Sequence, residues 1–113
     1  METASSYYEL YKKYRVLKDE KKAFEFYKLA CEQKNVNAII YSNLAYYYKY
    51  GKGCEKDEKK AFQYYKLASE QKDVIPSIYN NLAYCYRTGI GCEKNIFNYI
   101  KYSKLAGHDI NIN

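Results

Sequence analysis

A period of 38 residues constrains the fold of this chain more than any other feature of its sequence. The stretch 43–68 returns at 81–106 with the same Gly-x-Gly-Cys-Glu-Lys turn in the same place. A fixed period of roughly 20 to 50 residues is typical of solenoids, in which a unit that cannot bury its apolar face alone stacks on its neighbours. The sequence therefore predicts one domain over 1–113, built from repeats at 1–36, 37–74 and 75–113.

Each repeat contains two amphipathic helical patterns. In the second repeat, apolar and aromatic residues recur at positions that bring them onto one face of each helix. These residues are Ile40, Leu44, Ala45 and Tyr48 in the first helix, and Ala61, Tyr64, Tyr65 and Ala68 in the second. The same spacing predicts that Tyr48, Tyr65 and Tyr86 lie in the core. The predicted fold class is all-α, an α-solenoid of three antiparallel helix-turn-helix repeats.

Residues suited to helix ends stand at the expected boundaries. Asp19, Asp57 and Asn95 precede the three second helices, where a side-chain oxygen accepts from free backbone N–H groups. Pro76 stands where a first helix should begin, a position that tolerates proline. The glycine that opens each Gly-x-Gly turn can take the left-handed conformation that ends a helix.

The distribution of charge and of polar residues gives no indication of catalytic chemistry. The net charge is +6, and seventeen lysines are spread over every segment beside only two arginines, which favours a solvated surface. A basic, tyrosine-rich chain can also bind nucleic acid or a ribosome, and this is kept as an alternative function. The single histidine, His108, lies in a tail without a nearby serine or cysteine partner. We expect no enzymatic activity, no metal and no cofactor.

The four cysteines indicate free thiols. They are Cys31, Cys54, Cys85 and Cys92, and none forms the Cys-x-x-Cys pair of a zinc site. Cys54 and Cys92 occupy the position that Val16 holds in the first repeat, which predicts a small buried apolar site. Buried free thiols fit a reducing compartment, so we expect an intracellular, cytoplasmic protein. We expect no membrane insertion, because no stretch reaches the ~18 apolar residues of a spanning helix.

The stretch 43–68 resembles the Sel-one-like repeat, a tetratricopeptide-like family with the approximate pattern Leu-Gly-x-x-Tyr-x-x-Gly-x-Gly-Val-x-x-Asp-x-x-Lys-Ala-x-x-x-Tyr-x-x-Ala. The second repeat meets it through Leu44, Ala45, Tyr48, Gly51, Gly53, Cys54, Asp57, Lys60, Ala61, Tyr65 and Ala68. In the first repeat, Lys13 and Arg15 take the places of both glycines. The resemblance implies a right-handed superhelix with a concave face.

The resemblance also implies a non-catalytic adaptor or scaffold that holds a protein partner or an extended peptide on the concave face, along the first helix of each pair. The positions carried over are Tyr8, Tyr11 and Lys12, then Ser42, Asn43, Tyr46, Lys49 and Tyr50, then Asn80, Asn81, Tyr84 and Arg87. Tyr8, Tyr46 and Tyr84 would form a column with one tyrosine per repeat, unless they only pack adjacent helices. The cations Lys12, Lys49 and Arg87 would favour an acidic segment or a C-terminal carboxylate.

Some relatives are secreted and carry disulfides within the repeats, so a secreted disulfide-containing protein is a second alternative. The cysteines of this chain do not form a pair within each repeat, which argues against it.

The second helix of the third repeat exchanges charge for apolar surface. Where the second repeat has Glu58, Lys59 and Ala61, the third has Ile96, Phe97 and Tyr99. We expect an exposed apolar end that requires a cover. Three covers remain open: the tail through Ile110 and Ile112, a second copy of the chain bound through the C-terminal helix, or a partner protein.

Overall fold

Two helices form in each repeat because each has its own start and stop signals. The computed structural model describes residues 3–33 and 36–108, and this part of the chain contains six helices and no strand. The helices are α1 (Ala4–Val16), α2 (Glu20–Cys31), α3 (Ala38–Tyr50), α4 (Glu58–Ser69), α5 (Pro76–Thr88) and α6 (Ile96–Leu105). They pair as α1 with α2, α3 with α4 and α5 with α6. The predicted all-α repeat fold is confirmed.

The predicted starts of the second helices are confirmed. Asp19 Oδ1 accepts a hydrogen bond from the backbone N–H of Lys22 at 3.1 Å. Asp57 and Asn95 accept from the corresponding N–H groups, each at 3.0 Å. Each such cap stabilises its helix by roughly 1 kcal/mol. Pro76 is the first residue of α5, as predicted.

The first glycine of each Gly-x-Gly turn ends a helix. Gly51 and Gly89 follow α3 and α5 with φ of 66° and 78°, the left-handed conformation that the sequence predicted. A residue with a Cβ is strained in this conformation.

The second glycine of the turn packs directly against the preceding repeat. A Cβ added to Gly53 would overlap the carbonyl oxygen of Glu20, at the start of α2, and would lie 2.9 Å from the Cβ of Phe24. Gly91 meets α4 in the same way, one repeat further along. The turn is therefore also a contact between repeats, and that contact leaves no space for a side chain.

The core lies within the helix pairs and between successive pairs. Tyr48, Tyr65 and Tyr86 are buried, as predicted. Tyr65 of α4 packs with Leu82 and Cys85 of α5, which joins the second repeat to the third. α2 contacts α3 in the same manner. Stacking along one direction gives an elongated molecule of 55 × 27 × 20 Å.

The first repeat has a different register from the other two. The backbone N–H of Asp57 donates to the carbonyl of Tyr48 at 2.9 Å, whereas that of Asp19 donates to Tyr14 at the same distance. Tyr14 therefore holds the position of Tyr48, although the two are 34 residues apart rather than 38. α1 continues about one turn further along the chain than the period predicts.

Aromatic stacking gives the same register. Tyr14 stacks on Phe26 with ring centroids 5.4 Å apart, and Tyr48 stacks on Tyr64 at 5.7 Å. Phe26 and Tyr64 are related by the 38-residue period, whereas Tyr14 and Tyr48 are not. The turn of the first repeat is thus four residues shorter, and the prediction that Lys13 and Arg15 replace its two glycines is wrong.

The shift also corrects the prediction for Val16. Its side chain is 81% exposed because it ends α1 instead of following a glycine turn. Cys54 and Cys92 are half-buried, and their thiols lie 3.5 Å from the carbonyl of Tyr47 and 3.4 Å from that of Cys85. All four cysteines are free thiols. Within the described residues, no helix has the length and apolar character needed to cross a membrane.

Candidate functional site

One face of the solenoid is formed by the three first helices. In the structural register, Lys12, Tyr46 and Tyr84 occupy equivalent positions on α1, α3 and α5, and Arg15, Lys49 and Arg87 occupy another set one turn along. We call this surface the first-helix face. The predicted column of Tyr8, Tyr46 and Tyr84 is wrong, because the four-residue shift aligns Tyr8 with Ser42. The second set instead forms a column of one cation per repeat.

Tyr11 lies in the core and not on the surface, which corrects its assignment to the binding face. Its side chain is 4% exposed, and it holds the position of Ala45 and Ala83, which are buried too. Its ring packs edge-on against Tyr27 at 4.7 Å, and its hydroxyl lies 2.6 Å from that of Tyr47.

A cavity of about 640 Å³ opens on the first-helix face between α3, α5 and α6. We call it the C-terminal cavity. Its lining brings together half of the residues predicted for binding: Lys49, Tyr50, Asn80, Asn81, Tyr84 and Arg87. Ala83, Tyr99, Ser103 and His108 complete the lining. Among the described residues, this lining contains two permanent cations and no carboxylate.

Both cations of the C-terminal cavity contact the same aromatic ring. Lys49 Nζ lies 4.8 Å from the ring centroid of Tyr84, and Arg87 Cζ lies 5.3 Å from it. Arg87 also lies 6.0 Å from the ring of Tyr99. Cation–π contacts of this kind contribute about 0.5–1 kcal/mol each at exposed sites. They orient the two side chains and leave N–H donors available for a ligand.

His108 belongs to the C-terminal cavity, although its position in the sequence gave no indication of this. After α6, the chain brings His108 Nε2 to 3.0 Å from Oδ1 of Asn80 on α5. When the histidine nitrogen donates to this oxygen, the amide nitrogen of Asn80 retains both of its donors. His108 does not follow the repeat pattern, so the period could not have placed it here.

A smaller cavity of about 370 Å³ lies between α1, α2 and α3. Its lining includes two members of the predicted set, Tyr11 and Tyr46, and is completed by Arg15, Lys18, Glu20, Ala23, Phe24, Tyr47 and Lys52. The period had assigned Arg15 to the turn, so its place on the first-helix face was missed. Aligning Tyr14 with Tyr48 would have revealed it.

The remaining predicted binding residues line neither cavity. Tyr8 and Asn43 are exposed, and Ser42 is half-buried. Lys12 is exposed, and its ammonium lies 2.8 Å from the carboxylate of Glu9, one turn earlier in α1. The hydrogen bond with Glu9 raises the pKa of Lys12.

The predicted apolar end is divided between two surfaces. Ile96 and Phe97 are 60% and 81% exposed on α6. Tyr99 does not join them, because it is half-buried, packs against the core and lines the C-terminal cavity. Ile110 and Ile112, considered as a cover, lie outside the described residues.

The side chains of the site are of types suited to recognition. In residues 3–33 and 36–108, no group of three or more His, Cys, Asp or Glu side chains could hold a metal ion. The C-terminal cavity presents charged and amide donors beside aromatic rings. Such a surface can bind an anionic, peptide-like ligand.

Comparisons with known proteins give the same fold and a family. The model of the family described as Sel1 repeat matches residues 5–35, 41–73 and 77–99. A Sel1 repeat protein from Oxalobacter formigenes is 25% identical with a TM-score of 0.77, over 91% of this chain and 42% of its own. A protective antigen present in uropathogenic Escherichia coli strains, displaying an SLR fold, is 26% identical with a TM-score of 0.74, over 92% of this chain and 22% of its own. The chain thus spans less than half the length of either. A search of curated proteins finds no match.

Proposed function

The chain belongs to the Sel1 repeat family, and from this premise we propose that it is a scaffold that binds an extended segment of a partner protein on its concave, first-helix face. Sel1 repeat proteins generally mediate protein–protein interactions, and the family is generally a non-catalytic repeat scaffold. The free thiols support an intracellular location.

The observation that carries the proposal is the convergence of side chains from three helices on the C-terminal cavity. Tyr84 of this cavity and Tyr46 of the smaller cavity are 41% and 42% exposed, so each presents part of its side chain to solvent. Tyrosine offers large contact area at a low cost in rotamer entropy, and asparagine amides can pair with a peptide backbone.

Selection from a library of random dodecapeptides tests the proposal, because a random library does not require the partner to be chosen in advance. We expect the wild-type chain to enrich a family of related peptides. The double variant Tyr46→Ala, Tyr84→Ala should bind them at least about 30-fold more weakly, because a central aromatic contact contributes roughly 2 kcal/mol or more. Because both rings are half-exposed, the variant should lose only about 1–2 kcal/mol of stability.

The matched control is Leu67→Ala, which removes a comparably exposed apolar side chain from α4 and lines neither cavity. This variant should bind the selected peptides as the wild type does. The proposal is refuted if no peptide family is enriched, or if the tyrosine variant binds as tightly as the control. Nucleic-acid binding becomes the better account if a single-stranded oligonucleotide binds more tightly than any peptide, with an affinity that falls steeply as salt is added.

A further inference from the structure

We propose that the chain associates head to tail with a second copy of itself, so that α1 of one copy packs on α6 of the next. The contact repeats the junction that joins successive repeats within one chain. This association uses the two ends of the solenoid and not the first-helix face, so it goes beyond the proposed function.

Each internal junction places one face of a first helix on the second helix of the preceding repeat. The ring centroid of Tyr47 on α3 lies 5.5 Å from that of Tyr27 and 6.2 Å from that of Phe24, both on α2. One repeat further along, Leu82 of α5 packs with Tyr65 of α4. Contacts of this kind between neighbours stabilise a solenoid, because a single repeat cannot bury its apolar face alone.

The two outermost repeats each carry half of such a junction. In residues 3–33 and 36–108, no second helix precedes α1 and no first helix follows α6. In the structural register, the outward face of α1 consists of Ser6, Leu10, Lys13 and Leu17, and we call it the N-terminal end face. By the 38-residue period, that of α6 consists of Ile96, Ile100 and Ser103, with Phe97 beside them, and we call it the C-terminal end face.

Both end faces keep an apolar side chain at the centre of the contact. Leu10 corresponds to Leu44, which is buried in the core cluster that includes Phe24 of the preceding repeat. Leu10 itself is only half-buried. Ile100 stands where Phe24 and Phe62 meet the glycine turn of the following repeat, and it too is only half-buried. The end faces therefore retain side chains that an internal junction covers.

The end faces depart from the internal junctions at matching places. At one edge of an internal junction, the glycine turn lies against the backbone of Glu20 or Glu58. At the ends of the molecule, Leu17 stands in the shortened turn and Ile96 replaces the glutamate, and they are 62% and 60% exposed. Both halves of the contact have thus become apolar at the same edge.

The second matching change reduces size instead of polarity. The rings of Tyr27 and Tyr47 contact each other in the first internal junction. The end faces have Ser103 and Lys13 at these two positions, so a small side chain stands opposite a long and flexible one. Lysine can lay its stem on a neighbouring surface and keep its ammonium group in water. Terminal repeats that face only water are polar, whereas these two faces fit each other.

The proposed contact joins two different faces and is therefore heterologous. Repetition of a heterologous contact that does not close gives an open chain of copies and not a closed dimer. The first-helix faces of successive copies then lie side by side on one longer surface.

Sedimentation equilibrium of the full chain at concentrations from about 10 μM to about 1 mM tests the association, because weak contacts have dissociation constants in this range. We expect the average mass to rise continuously with concentration and to exceed that of two chains at the highest concentration.

Two variants each block one end face at exposed positions. The double variant Ile96→Glu, Phe97→Lys gives α6 the charged side chains that α4 has at the same positions. Leu17→Asp places a charge on the N-terminal end face. Each change should weaken the association at least about tenfold, because the contact would otherwise bury one or more apolar side chains. Far-UV circular dichroism should show that both variants keep the helical fold.

The matched control is Ile39→Glu. Ile39 is an exposed apolar residue in the first turn of α3, where the helix dipole favours a negative charge, and it lies on neither end face. This variant should associate as the wild type does.

An equimolar mixture of the two blocked variants distinguishes a head-to-tail contact from a symmetric one. Each variant keeps the end face that the other has lost. Each should therefore remain a monomer alone, whereas the mixture should form a species of two chains and nothing larger.

The head-to-tail association is overturned if the wild type remains a monomer up to about 1 mM, or if the mixture of blocked variants does. It is also overturned if the α6 variant loses association while Leu17→Asp keeps it, because two copies of α6 then pair with each other. An equal loss of association in Ile39→Glu would overturn it as well, since the contact would then not depend on the end faces.

Discussion

The contact of the glycine turn with the preceding repeat can be tested by adding one methyl group. Gly53→Ala places a Cβ against the carbonyl oxygen of Glu20, and the backbone φ at this position is 73°. The substitution therefore acts in two ways. It strains the backbone at its own position, and it pushes the second repeat away from the start of α2.

The two effects have separate magnitudes. A residue with a Cβ in the left-handed region costs roughly 1–2 kcal/mol. Inserting a carbon into a packed contact costs roughly 1–3 kcal/mol more. Gly53→Ala should therefore lower the free energy of unfolding by about 2–5 kcal/mol, a large part of the 5–15 kcal/mol typical of a whole domain. Gly107→Ala is the matched control, because Gly107 has φ of 94° and a Cβ there would meet no atom of the described residues within 4 Å, its chain neighbours aside. Gly107→Ala should lower the free energy of unfolding only by the cost of the backbone strain.

Urea denaturation followed by far-UV circular dichroism measures both losses. The expected result is a lower midpoint for Gly53→Ala than for Gly107→Ala, with Gly91→Ala behaving like the former. Equal losses for Gly53→Ala and Gly107→Ala would refute the reasoning, because the close approach between repeats would then contribute nothing beyond backbone conformation.

Three further predictions concern aromatic residues and thiols. Tyr11→Ala should lower the free energy of unfolding by roughly 3–5 kcal/mol, whereas Tyr8→Ala should lower it by less than about 1 kcal/mol. Urea denaturation measures both values. Stability should fall as the pH rises from about 9 to about 11. Burial raises the pKa of the Cys31 and Cys85 thiols to about 11 and that of Tyr48 to about 12, so the unfolded chain loses these protons first. Denaturation at a series of alkaline pH values checks this, and an unchanged midpoint would contradict it. Four thiols should react with a thiol reagent in denaturant, whereas in the native protein Cys31 and Cys85 should react at least about tenfold more slowly. Fewer than four would indicate a disulfide.

The helices and their ends could be predicted because the signals are local. Asp57 caps α4 through a bond to a residue three positions away, and Gly51 ends α3 through its own φ. The core tyrosines could be predicted for a related reason. Tyr48 and Tyr65 lie on apolar helical faces that are defined by the residue spacing within one helix. Neighbouring helices cover these faces.

The register of the first repeat could not be read from the period, because the period is carried by the second helices and the glycine turns. α2 and α4 begin 38 residues apart, so the alignment at that spacing looks sound from Asp19 onward. The alignment fails for α1, which precedes the shortened turn. The backbone hydrogen bond from Asp19 to Tyr14 and the contact of Tyr14 with Phe26 show that α1 is displaced by one turn.

This shift changes the chemistry expected of the first-helix face. The predicted row of tyrosines becomes a row of cations, Arg15, Lys49 and Arg87, because one turn separates the two assignments on α1. The residues shared by all repeats build the solenoid, since each must satisfy the same contact with a neighbour. A residue that departs from them is not held by that shared contact. Ser103 and His108 are such residues, and both line the C-terminal cavity.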